Sequence, residues 1–117
     1  MKTAQLKINI DNAVLSIIDN IFPPETLTNR FIGATARTVY NQKRYVLFNM
    51  IDTLADKNGE VDVEYMVDQY EHALMPNGVL EINLKEVSQN LGLNLPDYIV
   101  GKTIKLDKND MKRIFGL

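Results

Sequence analysis

The chain has no cysteine and a single histidine, His72. The first absence excludes disulfides, thiolate zinc sites and thiol nucleophiles together. The second leaves any multi-histidine metal site or Ser/His/Asp arrangement dependent on one ring. Long apolar runs are missing too. The N-terminal stretch MKTAQLKINIDNAVLSIIDNIF is interrupted by Lys7, Asn9, Asp11, Asn12 and Asp19, so neither a signal peptide nor a membrane span is expected. No cofactor, metal or membrane partner is called for, and a soluble cytoplasmic protein is the expectation. The formal charge of −2 argues against a protein that coats nucleic acid generally, because such affinity depends on many neutralised phosphates. It leaves room for a local basic face. The abundance of asparagine, isoleucine and lysine, whose codons are rich in A and T, suggests a low-GC bacterium or one of its phages.

Another absence is local. Between Thr26 and Ile51 there is no acid, only Arg30, Arg37, Lys43 and Arg44, with the three arginines spaced seven apart. The sign then reverses, with Asp52, Asp56, Glu60, Asp62, Glu64, Asp68 and Glu71 set against a lone Lys57. Such segregation needs either an external anionic partner or an acidic surface on the same molecule.

At 117 residues the chain is the size of one domain, 1–117, large enough to bury a single core. Ile10, Ala13, Val14, Ile17, Ile18 and Ile21 follow the three-and-four spacing of a half-buried helix, and Leu6 extends it; Leu6, Ile8 and Ile10 also alternate, so a strand over 3–10 is an alternative. Phe22, Pro23 and Pro24 end that element, and the second proline can open the next helix. A long helix then places Val39, Tyr40, Val46, Leu47, Met50, Ile51 and Leu54 on one face, with a break or kink at Gly33 as an alternative. Lys57, Asn58 and Gly59 stop it. A third helix carries Val63, Met66, Val67, Tyr70, Ala73 and Leu74, and closes at Met75, Pro76, Asn77 and Gly78.

Beyond it Val79–Leu84 and Lys102–Leu106 alternate as strands. Helical turns are expected over Lys85–Leu91 and Pro96–Val100, and Asp107 can cap a last helix that docks Met111, Ile114 and Phe115. The expected class is therefore α+β and predominantly helical: a long central helix packed with two further helices, a small C-terminal two-stranded sheet, and a closing helix.

Several motifs invite a chemical reading. Asp56, Asn58, Glu60 and Asp62 alternate like calcium ligands, but the sixth and twelfth places of that loop hold Val61 and Val67 instead of glycine and glutamate. Gly101, Lys102 and Thr103 match the end of a phosphate-binding loop, yet Pro96 stands where the first glycine belongs and has no amide to give. An acid one turn before His72, Asp68, can orient its ring as a base, with no nucleophile tied to it by sequence. Leu84–Tyr98, with Ser88, Gly92, Leu93 and Asn94 at the small, turn and apolar positions, resembles a helix-turn-helix, and flanking strands would suit its winged form. Its second helix would offer Asp97, Tyr98, Ile99 and Val100, which are poor at reading base edges.

The arginine stripe lies beside aromatics, Tyr45 and Phe48, a combination favoured at protein interfaces. A helical hairpin across Lys57–Gly59 would bring Arg44 near Glu71 or Asp68 and leave Arg30 and Arg37 free. Lys43, close to the middle of the apolar face, must snorkel to water or meet an acid, either Asp11 or Asp19 of the first helix or one on a partner subunit. The expected function is thus a non-enzymatic protein–protein interaction or assembly module, self-association included, with Arg30, Arg37, Tyr45 and Phe48 at the contact. The alternative is a winged-helix-like DNA-binding regulator acting through residues 79–106, with Lys85, Asn94, Lys102 and Lys105 on the nucleic acid.

Overall fold

Leu6, Ile10, Val14 and Ile18 are each buried to 2% exposure or less, while Ile8 is 52% exposed. A strand would have put Ile8 on the opposite face from residues 7 and 9 but on the same face as Leu6 and Ile10. The four-residue repeat decides for a helix, α1, over Thr3–Ile21. These four side chains stabilise the fold by about 1.5–3 kcal/mol each relative to exposure. Phe22, turned out of the helical region ahead of Pro23 at φ −123° and ψ 75°, ends α1 and is itself buried, with its amide still donating to Ile18 O at 2.8 Å.

The computed structural model describes residues 1–70, 80–92, 94–101, 103–106 and 108–117. Its longest element, α2, spans Leu27–Leu54. Thr26, not Pro24, opens it, since the Thr26 hydroxyl accepts from the Asn29 amide at 3.1 Å. The helix runs on through Gly33 without interruption. Ile32, Ala36, Val39, Tyr40, Leu47 and Ile51 form its buried face, and the one buried polar residue on it, Thr35, donates its hydroxyl to Phe31 O at 2.9 Å.

The turn after α2 is tied to the start of the chain. Thr3 N donates to Gly59 O and Val61 N to Met1 O, both at 2.9 Å, and Lys2 forms an antiparallel bridge with Glu60. Gly59 takes φ +72°, a left-handed turn that other residues adopt at a cost. With its first residues pinned at the C-terminal end of α2 and a Pro-Pro turn at the other end, α1 must run antiparallel to α2.

Asp62 caps α3 (Val63–Gln69), accepting from the Tyr65 amide at 3.1 Å, and Met66, Val67 and Tyr70 enter the core. The expected apolar positions Ala73 and Leu74, the stop at Met75–Gly78, and His72 lie outside the described residues. Asn83 caps α4 (Leu84–Leu91), which ends on Gly92 at φ +64°. A single turn, α5 (Asp97–Val100), follows, and α6 (Lys108–Ile114) buries Met111 against α1 and α3. Asp107, its expected cap, lies outside the described residues.

The α+β class with a two-stranded sheet is corrected. The chain is mostly helical, and no sheet is seen in the part that builds the core. Leu80–Asn83 and Thr103–Leu106 run as two antiparallel extended segments of four residues each, far too short to form a layer on which helices pack. Leu84, the apolar residue expected to end the first strand, instead begins α4 and is fully buried there. Alternation over so few residues marked extended chain without specifying a sheet.

Candidate interaction surface

The arginine stripe faces α1, not a solvent-borne partner. Arg44 pairs with Asp11, whose other carboxylate oxygen accepts from the Tyr40 hydroxyl at 2.9 Å. Arg37 pairs with Asp19 one step further along the same seam. Arg30 lies past the end of α1, where its Nε donates to Pro24 O at 3.0 Å. Lys7 closes the other end on Asp52 at 2.7 Å. All three charges of α1, Lys7, Asp11 and Asp19, therefore lie on the seam with α2.

Two expectations are overturned by this geometry. Arg44, expected near Glu71 or Asp68, pairs instead with Asp11, because the helix lying along α2 at this point is α1 while α3 packs on α6; Glu71 lies outside the described residues. Arg37 is not free, being already paired with Asp19. Asp11 and Asp19 are thereby occupied by arginines, and Lys43 sits half-buried on the core side.

Phe48 belongs to the seam as well. Two cations approach its ring, the Arg44 guanidinium carbon at 5.1 Å and the Lys7 ammonium at 5.6 Å from its centroid. Burial, then the hydrogen bond to Asp11, pushes the Tyr40 hydroxyl far above the ordinary tyrosine range. That is the signature of a group kept neutral inside a packed network.

Of the four residues expected at a contact, Arg30 and Tyr45 are exposed, Tyr45 at 66%, whereas Arg37 and Phe48 are half-buried in the seam. Tyr45 belongs to an outward face of α2 that charge patterning did not point to. Every exposed α2 residue from Phe31 to Asn49 is uncharged: Phe31, Ala34, Thr38, Asn41, Gln42, Tyr45, Val46 and Asn49. In a chain with 24% charged residues this is an unusual solvent face for a helix. Val46, expected on the buried face, is instead 53% exposed, about 100° round the helix from the buried Leu47; Phe31 is 50% and Leu27, one turn before it, 79% exposed. Leu27, Phe31, Ala34, Thr38, Asn41 and Tyr45 recur at alternate steps of four and three, which keeps them in one stripe opposite the buried face. The outward residues of α1, such as Gln5, Asn12, Ser16 and Asn20, are also uncharged but mostly polar, with Ala4, Ile8 and Ile21 as the apolar exceptions. The signal available in the sequence was the run of residues without charge between the arginines.

The remaining candidates carry less. The acids of the 56–62 turn are engaged by the chain's own donors. Asp56 Oδ1 accepts from the Glu60 and Asn58 amides, and these bonds hold its carboxyl below the usual range. Glu60 is lowered by the N-terminal amine and by Lys2. A cleft of about 300 Å³ between α3 and α6 is lined, among the described residues, by Glu64, Val67, Asp68, Lys112 and Leu117, and these two acids and one lysine make no convergent catalytic set by themselves. Among the described residues no group of acids and histidines is placed to hold a metal, and no helix is long and apolar enough to cross a membrane.

For the nucleic-acid alternative, Lys85 and Asn94 are exposed, Lys105 stands opposite Glu81 in the extended pair, and Lys102 lies outside the described residues. The helix that would enter a major groove, α5, is four residues, about 6 Å of rise. That is too short to lay several side chains along base edges. No family model, curated protein or solved structure matches the chain, so the reading of this surface rests on its own geometry.

Proposed function

We propose that the chain is a non-enzymatic protein–protein interaction or assembly module whose contact surface is the outward face of α2. One observation supports the reading most: from Phe31 to Asn49 that face carries no charge, yet exposes Phe31, Tyr45 and Val46 by half or more. Aromatic side chains bring large contact area at low entropic cost, and the uncharged polar residues between them hydrogen-bond without the desolvation penalty of an ion. The face rests on a rigid base, since the opposite side of α2 is held by the core and the charged seam. Arg30, at the margin of the stripe, supplies a rim charge.

A photocrosslinking side chain at Tyr45, introduced in the producing cell, tests this directly. Discrete protein adducts are expected from position 45 and not from Glu64, an exposed position on α3. Adducts at neither position, or the same adducts at both, would remove the proposal.

A further inference from the structure

Resting on that reading, we infer that the partner of the α2 face is a second copy of this chain, packed antiparallel about a two-fold axis at Thr38. A two-fold contact places the same surface on both sides, so a charged stripe would set like charge against like near the axis. This stripe has none between Phe31 and Asn49. It is also symmetric about its middle. Thr38 stands seven residues from Phe31 on one side and from Tyr45 on the other, and Ala34 and Gln42 flank it at four residues each.

In the antiparallel arrangement Phe31 meets the partner's Tyr45 on each side of the axis, and Ala34 makes room for the partner's Gln42. The aromatic pairs sit at equal distances from a small, polar centre. A parallel pairing would instead stack Phe31 on the partner's Phe31 and Tyr45 on the partner's Tyr45, leaving the asymmetry of the two ends unused.

The dimensions are sufficient. The stripe from Leu27 to Asn49 is about 34 Å long, and a third of the accessible circumference of a helix gives it roughly 500 Å² on each copy. Two copies then remove roughly 1,000 Å², the lower edge for a specific interface. The expected dimer is accordingly weak and concentration-dependent. The long axis of the molecule is 46 Å, so the contact runs along most of it and fixes the two copies side by side.

The absence of cysteine makes the test simple. In the full chain, Thr38→Cys places its two thiols across the axis, within disulfide reach. Tyr45→Cys places them about 21 Å apart in the antiparallel pair. Under mild oxidation Thr38→Cys should form a covalent dimer and Tyr45→Cys should not. Sedimentation equilibrium of the native chain should show a monomer–dimer equilibrium that Thr38→Glu weakens by about a hundredfold or more. Circular dichroism confirms that the variant is folded.

Efficient linking at both positions would overturn the antiparallel register in favour of a parallel pair. A native chain that stays monomeric into the millimolar range, with no linking at Thr38→Cys, would overturn self-association altogether. In that event the photocrosslinker at Tyr45 separates the two failures. Adducts to a different protein leave the α2 face as an interaction surface with another partner, and no adduct at all removes both.

Discussion

On the inner side of α2, Tyr40, Arg44 and Arg37 each meet an acid of α1, whereas on its outer side, from Phe31 to Asn49, there is no charge to meet. The inner side combines a buried apolar face with a charged seam along its edge. Each ion pair fixes where α1 stands along α2, so the charges act as a register for the hairpin. The outer side lacks any such device and makes no demand on the fold. A concentration of charge in a sequence is therefore as readily an internal fastening as an external site, and here the part without charge is the better candidate for a surface.

The largest expected effect tests the inner side. Asp11→Ala leaves the Tyr40 hydroxyl, on a residue that is 1% exposed, without its acceptor and Arg44 without its acid. The expected loss is about 2–4 kcal/mol in urea unfolding. Combined with Tyr40→Phe, the double variant should lose less than the sum of the singles, since the two groups share one interaction. A neutral Asp11→Ala would mean that the seam decorates the hairpin without holding it.

An alkaline titration separates the faces by another route. Tyr40 keeps its proton in the folded chain at pH values where the unfolded chain releases it, because burial and then Asp11 push its hydroxyl up. Its contribution is fully present below the ordinary tyrosine pKa and is lost as pH rises above it, by up to about 1.4 kcal/mol per pH unit. Tyr40→Phe should flatten that decline. If the stability of both proteins falls in parallel above about pH 10, the Tyr40 network is open to solvent.

A smaller effect, opposite in sign, is expected at Gly33. An added Cβ there would lie 3.9 Å from Ile18 Cγ2, an ordinary contact, and the glycine has no positive φ to protect. Gly33→Ala should raise stability by about 0.5–1 kcal/mol through helix propensity. A drop in melting temperature would show that α1 and α2 pack more closely than this contact implies.

From Ile10 onward the first helix could be read from the sequence, because Ile10, Val14 and Ile18 repeat at helical spacing, whereas over residues 3–10 the alternation of Leu6, Ile8 and Ile10 left a strand open. Caps were harder: Thr26 opens α2 although Pro24 looks the stronger signal, since a hydroxyl aimed at the third amide outweighs a fixed φ. Partner choice was not legible. The arginines were legible as a seven-residue repeat, but which helix lies beside them depends on the register fixed by the Met1–Thr3 contacts to Gly59–Val61, and those are long-range. The stripe from Phe31 to Asn49 was visible only as residues between more conspicuous ones. Core burial had to be assigned before the opposite face could be recognised as unoccupied.

The smallest expected effect on stability is on the outer side, and it is the sharpest contrast. Phe31 and Tyr45 are half or more exposed, and their replacement by glutamine removes no buried contact. Glutamine is also the better helix former. Measured at a concentration where only monomer is present, Phe31→Gln with Tyr45→Gln should change unfolding free energy by no more than about 0.5 kcal/mol. The pair nevertheless removes most of the aromatic area from the proposed contact, so at high concentration the association should disappear. A loss of stability above about 1 kcal/mol in the dilute monomer would place these rings in the fold's own packing, and the two sides of α2 would then differ in charge but not in role.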